Sequence, residues 1–449
     1  MRLFGTDGIR GRINRPPMTP EHVLRVGMAA AKVLRKEHGR NMVIIGKDTR
    51  LSGYMIESAL TAGICSMGMN VTLTGPLPTP GVAFLTRALR LDAGVVISAS
   101  HNPFEDNGIK FFSADGFKLP DEVEERIEKL VEDERLGAKR PSGAQIGKAF
   151  RLDDATGRYI EYIKSTIPRG TTLEGLRVVV DSANGAAYKV TPWVLRELGA
   201  DVITINDRPD GININAGCGS LHMEGLCDRV RQEKADAGIA HDGDGDRTLM
   251  CDEKGNVVDG DKILGIWALQ LKGENSLREN AVVSTVMSNL GLEHYLSARG
   301  IKLHRTRVGD RFVTEKMLDG GFVLGGEPSG HLICLECNTT GDGPITALHV
   351  LCALKRGKTP LSALAEEIRF YPQVLINVSV KRKAEIKAHP EIMQAIRDAE
   401  SRLGSRGRII VRPSGTEPAI RVMVEADDEK LVGRLAGSVA KVIKKTLSA

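Results

Sequence analysis

The run His241-Asp242-Gly243-Asp244-Gly245-Asp246-Arg247 puts three carboxylates at alternate positions with glycines between them. In a plain strand those side chains would share one face, and three like charges would repel. Gly243 and Gly245 let the backbone bend until the carboxylates converge on one point. A divalent cation relieves the repulsion, and an all-oxygen ligand set selects a hard ion, magnesium or calcium. The bland alternative is a solvated acidic turn. Two further readings use the same residues. In an EF-hand loop, Asp242, Asp244 and Asp246 would take positions 1, 3 and 5 and Glu253 position 12, but position 6 is Arg247 where glycine is needed, and the flanks look like strands. In a haloacid-dehalogenase-type phosphatase or mutase, Asp244-Gly245-Asp246-Arg247-Thr248 would be the Asp-x-Asp-x-Thr motif, with Asp244 as nucleophile. There the apolar strand should run directly into the aspartate, and here Asp242-Gly243 intervenes.

Three other segments carry chemistry. Ser98-Ala99-Ser100-His101-Asn102-Pro103 follows the apolar run Gly94 to Ile97, so it falls on a loop at a strand's carboxyl end, where α/β proteins place ligands. Ser100 beside His101 suggests a nucleophile. A phosphate carried on Ser100 would offer a further oxygen to the same cation, and Lys110 is a natural cationic partner or proton shuttle. Arg412-Pro413-Ser414-Gly415-Thr416-Glu417-Pro418, with Arg421 beyond, combines hydroxyls, a permissive glycine and two guanidinium forks, a set suited to clamping phosphate. Glu327-Pro328-Ser329-Gly330-His331 puts a carboxylate and a hydroxyl two residues apart, able to bracket vicinal sugar hydroxyls. Each of these could also be a simple turn.

The elements that must position these loops are legible as an alternation of short apolar runs and helical patterns. The spacing of Val23, Val26, Ala30, Val33 and Leu34 predicts a helix that Thr19 caps, Pro20 opens and Gly39 closes. Strands are expected at Met42 to Gly46, Gly94 to Ile97, Leu176 to Val180 and Ala281 to Val283, each running into a polar turn. Strand–helix alternation favours parallel α/β layers. The tail differs: a strand over Tyr371–Lys381, a helix near Glu385–Leu403, strands at Arg408–Arg412 and Ala419–Glu425, and a last helix from about Glu429. The fold class expected is α/β: three similarly built α/β domains with mixed, largely parallel sheets, over residues 1–150, 151–252 and 253–368, and a smaller C-terminal α+β domain over 369–449. Asp133 to Gly147, rich in charge, Gly, Pro and Ser, reads as a linker.

Composition bounds the function. The chain has 449 residues, and 62 Lys+Arg against 57 Asp+Glu leave a net charge of +5, with aromatics at 4%. That balance suits small anions better than nucleic acid, which needs a basic stripe or stacking platforms. Seven cysteines in a long chain read as reduced thiols. Cys334-x-x-Cys337 is one Cys-x-x-Cys, without the second pair that a zinc site wants. With no apolar leader and no spanning run, the expectation is a cytoplasmic protein without membrane or nucleic-acid partners, a monomer or homodimer.

In this order, the four loops resemble those of one family, the α-D-phosphohexomutases. Ser100-His101-Asn102-Pro103 looks like its phosphoserine loop, Asp242 to Arg247 its metal loop, Glu327 to His331 its sugar-binding loop, and Arg412 to Pro418 its phosphate-binding loop. The resemblance spans the chain, one loop per domain, and implies four domains around a central cleft. It also implies a phosphorylated Ser100 that donates to a sugar monophosphate, a bisphosphorylated sugar that turns round, and return of the other phosphate to Ser100. Mg2+ would be held by Asp242, Asp244, Asp246 and a phosphoserine oxygen. Lys110 and His101 would lie near the reacting oxygen, with Arg10 and Arg247 as electrostatic support. Glu327, Ser329 and His331 would hold sugar hydroxyls, and Arg412, Ser414, Gly415, Thr416 and Arg421 the phosphate that is not reacting. Phe4-Gly5-Thr6-Asp7-Gly8-Ile9-Arg10-Gly11 and Ser98 to Pro103 look most like the bacterial branch that interconverts glucosamine 6-phosphate and glucosamine 1-phosphate for cell-wall precursors. That branch usually has glutamine where this chain has Pro328, so a branch acting on mannose or glucose phosphates stays open.

Overall fold

The computed structural model describes residues 3–5, 7–37, 39–380, 386–413 and 419–447. Valine- and isoleucine-rich runs, which fit a pleated, buried surface, become four sheets among these residues. The first holds β1 (Ile9–Arg12), β2 (Met42–Lys47), β3 (Asn70–Pro76), β4 (Ala93–Ile97), β5 (Asp106–Ser113) and β6 (Ala149–Arg151), in the order β1-β5-β4-β2-β3-β6. β4, β2, β3 and β6 run parallel, while β5 is antiparallel to both its neighbours. The stretch expected as a linker carries the chain back to this sheet, where the Gly147 amide donates to the Cys65 carbonyl at 2.9 Å and β6 pairs with β3.

The second sheet holds β7 (Arg177–Asp181), β8 (Asp201–Ile205), β9 (Ala237–His241), β10 (Thr248–Asp252) and β11 (Val257–Val258). β8, β7 and β9 are parallel, and β9, β10 and β11 form an antiparallel meander. The third holds β12 (Ala281–Thr285), β13 (Lys302–Thr306), β14 (Leu324–Gly326) and β15 (Leu332–Cys334), with β13, β12 and β14 parallel and β15 antiparallel. The fourth, β16 (Gln373–Ser379), β17 (Gly407–Pro413) and β18 (Ala419–Ala426), is wholly antiparallel, with β18 in the centre. The helices Pro390–Leu403 and Glu429–Leu447 cover it. The mixed, largely parallel α/β sheets and the smaller C-terminal domain are those expected.

The first helix, Pro20–Leu34, is capped by the Thr19 hydroxyl, which accepts from the His22 amide at 3.4 Å. Its end differs from expectation. It stops at Leu34, and the turn beyond it is closed by Asn41 rather than by Gly39. The Asn41 side chain accepts from the Lys36 amide at 2.8 Å and donates to the Lys36 carbonyl at 3.0 Å.

Packing divides the chain into two compact units. One holds the first three sheets, up to Met287 together with Ile301–Glu367. The other holds the fourth sheet from Ile368 onward together with Ser288–Gly300. The helix Leu290–Ser297 thus packs away from its neighbours in sequence. Its Leu290 amide donates to the buried Glu425 carboxylate at 3.0 Å, Asn289 exchanges hydrogen bonds with the backbone of Tyr371, and a Cβ on Gly291 would meet the Arg369 carbonyl at 2.0 Å.

Candidate active site

Within the first unit, parallel strands end where the loops begin: β2 at Asp48–Arg50, β4 at Ser98–Ser100, β9 at Asp242 and β14 at Glu327. Ser100 is buried, with φ +53, a region sparsely used by residues other than glycine. Its neighbours hold it there. The Ser98 hydroxyl accepts from the Ser100 amide at 2.8 Å and donates to Asp48 at 2.6 Å. The Ser100 carbonyl accepts from Arg50 and from Asn215, both at 2.9 Å. The Ser100 hydroxyl donates to Asp242 at 2.6 Å and lies 3.3 Å from His101 Nδ1. Gly108 must be glycine for β5 to pass beneath, since a Cβ would lie 2.6 Å from the Ser98 carbonyl.

The metal loop is a tight β9–β10 connection, with the Gly245 amide donating to the Asp242 carbonyl at 3.2 Å. Gly243 lets it approach the serine loop, because a Cβ there would meet the Ser100 carbonyl at 2.5 Å. Asp242, Asp244 and Asp246 are buried, and each offers an oxygen within 4.8 Å of the others. Asp244 Oδ1 and Asp246 Oδ1 are shielded from solvent and lack a hydrogen-bond partner among the described residues. Buried anionic oxygens without partners are costly, and these converge as ligands of a hard divalent cation would. Burial, followed by the charges of Asp246 and Asp244, pushes the Asp242 carboxyl well above the usual range. Asp242 therefore resists ionisation beside its neighbours, a cost that a bound cation would relieve. The triad fits a metal.

Cations and carboxylates surround it. Lys110, from β5, is buried and reaches Asp244 at 2.9 Å, Asp7 at 3.1 Å and Asp246 at 3.4 Å. Burial opposes its charge, but Asp244, Asp7 and Asp246 hold its pKa well above the lysine range. It is thus an ammonium and a poor proton acceptor. His101 is the opposite case. Burial, then Arg247 and Arg10, lowers its pKa to about 4, so its imidazole is neutral at physiological pH. Arg10 pairs with Asp7, and its buried Nε has no hydrogen-bond partner among the described residues, while Arg247 Nε faces Asp246 at 3.9 Å.

The sugar loop joins β14 to β15. The Thr248 amide donates to the Gly330 carbonyl at 3.0 Å, and the Gly260 amide to the Pro328 carbonyl at 3.1 Å. Gly330 has φ +88, and a Cβ there would lie 2.2 Å from the Thr248 carbonyl. Glu327 accepts from the Gly309 amide at 3.1 Å. Ser329 Oγ is buried and has no partner among the described residues. His331 Nε2 accepts from the Gly341 amide at 3.2 Å, and Nδ1 faces Asp246 at 3.7 Å, joining the sugar loop to the metal loop. Burial opposes protonation of this ring, but Asp246 and Asp310 raise its pKa.

In the second unit, Arg412 of β17 and Arg421 of β18 are directly opposite each other. Like charges in that register repel. Burial, then Arg421, lowers the Arg412 pKa, and Arg421 Nε is buried without a hydrogen-bond partner among the described residues. An anion would relieve both. Ser414, Gly415 and Thr416 lie outside the described residues.

The comparisons with known proteins agree with this arrangement. Family models for phosphoglucomutase/phosphomannomutase match in chain order: alpha/beta/alpha domain I at residues 1–137, domain II at 157–255, domain III at 259–371 and the C-terminal domain at 375–442. The phosphoglucosamine mutase of Thermodesulfovibrio yellowstonii is 54% identical, over 100% of both chains. The chain belongs to the phosphoglucomutase/phosphomannomutase family. Two solved structures share its fold. A phosphoglucomutase/phosphomannomutase family protein from Burkholderia thailandensis has a TM-score of 0.82 at 23% identity, covering 99% of this chain and 97% of its own. The Aspergillus fumigatus N-acetylphosphoglucosamine mutase, solved with GlcNAc-6P and magnesium, has a TM-score of 0.67 at 18% identity, covering 99% and 95%.

Membership in the phosphoglucomutase/phosphomannomutase family removes the two rival readings of the acidic run, and the geometry says why. The run lies between strands, and Glu253 bonds Ser362 instead of reaching back to the aspartates, so it is no EF-hand. Asp242, not Asp244, follows the strand, unlike a dehalogenase nucleophile. The site also holds residues not expected from sequence. Arg50 is fully buried, pairs with Asp48, and donates to the carbonyls of Ser100, Asn102, Pro103 and Asp106. Asp7 links Lys110, Arg10 and Lys118, and Lys118 extends the chain to Asp310. Thr79 donates to Asp244 at 2.7 Å. The one sequence signal for Arg50 is the charged run Lys47-Asp48-Thr49-Arg50 directly after β2.

Proposed function

We propose that this phosphohexomutase interconverts glucosamine 6-phosphate and glucosamine 1-phosphate. The observation that carries the sugar assignment is the 54% identity over the full chain to a phosphoglucosamine mutase. The proposal places one loop in each of four domains, 1–150, 151–252, 253–368 and 369–449. Its substrates are small sugar phosphates rather than nucleic acid or membrane, and no described helix is long and apolar enough to cross a bilayer. The enzyme would act in the cytoplasm, as a monomer or homodimer.

Ser100 is proposed as the phosphoryl carrier. The bond from Ser100 Oγ to phosphorus breaks as a sugar hydroxyl oxygen bonds to that phosphorus. The bisphosphorylated sugar then turns round, and its other phosphoryl group returns to Ser100 Oγ. Neutral His101, its Nδ1 3.3 Å from Ser100 Oγ, is placed to accept a hydrogen bond at the reacting oxygen, and with a pKa lowered to about 4 it would relay a proton rather than keep it. Lys110, a fixed ammonium, balances the carboxylates of Asp7, Asp244 and Asp246, with Arg10 and Arg247 lending positive charge. Asp242, Asp244 and Asp246, with an oxygen on Ser100, would hold Mg2+, which when bound neutralises charge on the transferring group. Glu327, Ser329 and His331 would orient the sugar. Arg412, Ser414, Gly415, Thr416 and Arg421 would hold the other phosphate. The deciding measurement is kcat/KM for the 1-phosphates of glucosamine, glucose and mannose, primed by a sugar bisphosphate. Glucosamine should lead, and a lead for glucose or mannose overturns the sugar assignment.

A further inference from the structure

Cys334 and Cys337 take no part in this chemistry, yet their placement is specific. β15 ends at Cys334 and the chain turns at once, the Cys337 amide donating to the Cys334 carbonyl at 2.8 Å. A turn closed by that bond keeps its end Cα atoms within about 7 Å, and disulfides span Cα separations of roughly 4.4–6.8 Å. Interaction with the Cys337 thiol lowers the Cys334 pKa, and interaction with Cys334, followed by burial, raises that of Cys337. Both residues are buried in packing terms, but both line a cavity of about 430 Å³ with Tyr162, Thr166, Glu336 and His349. A small reagent can therefore meet them. Among the described residues, the one cluster of three or more His, Cys, Asp or Glu able to hold a metal is the aspartate triad. The cysteine pair is thus left for two-electron chemistry.

We propose that Cys334 and Cys337 form a reversible disulfide with a low-molecular-weight disulfide as oxidant, and that the oxidised form slows the mutase. The Cys334 thiolate attacks one sulfur of the reagent. The reagent's S–S bond breaks, a mixed disulfide forms on Cys334, and a thiolate leaves. Cys337 gives its proton to that thiolate and attacks Cys334 Sγ, releasing the second thiolate, which takes a proton from water. Two protein thiols are oxidised and one disulfide is reduced to two thiols.

The path to the active site is short. An S–S bond of about 2.05 Å is shorter than any non-bonded contact of two sulfurs, so its formation draws Cys337 towards Cys334. The next residue, Asn338, donates to the Pro80 carbonyl at 3.1 Å and to Asp342 at 2.9 Å. Pro80 adjoins Thr79, which holds Asp244, and farther along the same turn the Gly341 amide holds His331. Misplacement of a catalytic group by about 1 Å costs up to roughly 100-fold in rate.

The test incubates the full-length protein with 2-hydroxyethyl disulfide and reads intact mass, mapped peptides and turnover. A Cys334–Cys337 bridge should form at least about tenfold faster than any adduct on the other five cysteines. It should lower kcat/KM about threefold or more and be reversed by dithiothreitol, while Cys337→Ala should trap the mixed disulfide on Cys334. Adducts elsewhere without a bridge overturn the site, and a complete bridge with unchanged kcat/KM overturns the coupling. The turnover readout rests on the proposed mutase activity. The bridge is read by mass, so a reduced enzyme inactive on every sugar phosphate would sink the functional reading and leave the cysteine site decided on its own.

Discussion

In the serine loop, side chains hold the backbone. Arg50 alone reaches four carbonyls between Ser100 and Asp106, Ser98 supports the Ser100 amide, and Asn215 shares the Ser100 carbonyl. In the sugar loop, backbone holds backbone. Thr248 pins Gly330 and Gly260 pins Pro328, while among the described residues Ser329 Oγ has no partner and Glu327 meets one amide. The difference fits what each loop is proposed to do. A group that carries a phosphoryl group has to sit in one place relative to its metal and acceptor. A group that recognises sugar hydroxyls has to keep its hydrogen-bonding capacity unspent until the sugar arrives.

The largest expected effect comes from removing the carrier. Ser100→Ala should lower turnover by at least about 10³-fold, and label from a sugar bisphosphate should no longer remain on the chain. Label appearing instead on Asp244 would revive the dehalogenase chemistry and strip the serine loop of its role. Arg50→Met should come next, breaking the scaffold without touching the carrier. It leaves Asp48 buried without its cation and takes one donor from each of four carbonyls, a loss of about 3–5 kcal/mol. Thermal unfolding should shift down, and kcat should fall by roughly 100-fold with KM within about threefold. Arg50→Lys should rescue little, since an ammonium cannot fork across separate carbonyls. A variant with full kcat would show that the serine loop needs no side-chain frame, and the contrast would collapse.

Some of this was legible in the sequence and some was not, for physical reasons. Three aspartates in five residues with glycines between them have few stable uses, so the convergence of their carboxylates could be read from the run itself. Ser100 stands out because it follows an apolar strand and precedes His101. Arg50, Asp7 and Lys118 carry no such signal. Each works through contacts tens to hundreds of residues away, such as Lys118 with Asp310, and no local pattern encodes that. The same holds for the helix Leu290–Ser297, whose place in the second unit is set by Glu425 and Arg369 rather than by its neighbours. The expected glycine stop at Gly39 failed because an asparagine side chain, two residues on, closed the turn first.

Ser329→Ala should give the reverse signature of Arg50→Met. Its hydroxyl supports nothing in the described structure, so the unfolding temperature should stay put. Losing one hydrogen bond to the sugar should cost about 1–3 kcal/mol, read as a drop of roughly fivefold to 150-fold in kcat/KM. A clear fall in stability with unchanged kcat/KM would make Ser329 a structural residue and erase the division of labour between the loops.

The smallest effect is expected at Pro328, which lies between the two side chains proposed to hold the sugar. Its tie to the fold is through its carbonyl, which accepts from Gly260, and any residue can supply a carbonyl. Pro328→Gln keeps that bond and adds an amide able to donate and accept. Losing proline's restriction of the unfolded chain should cost about 0.4–1 kcal/mol. The ratio of kcat/KM for glucosamine phosphate to that for glucose phosphate should move by less than about tenfold, because the flanking Glu327 and Ser329 keep their places on a backbone that has not moved. A change beyond about 100-fold would mean that the side chain at 328 reads the sugar. Recognition would then centre on the one position where this loop departs from its branch, and the backbone-held loop would owe its specificity to a side chain after all.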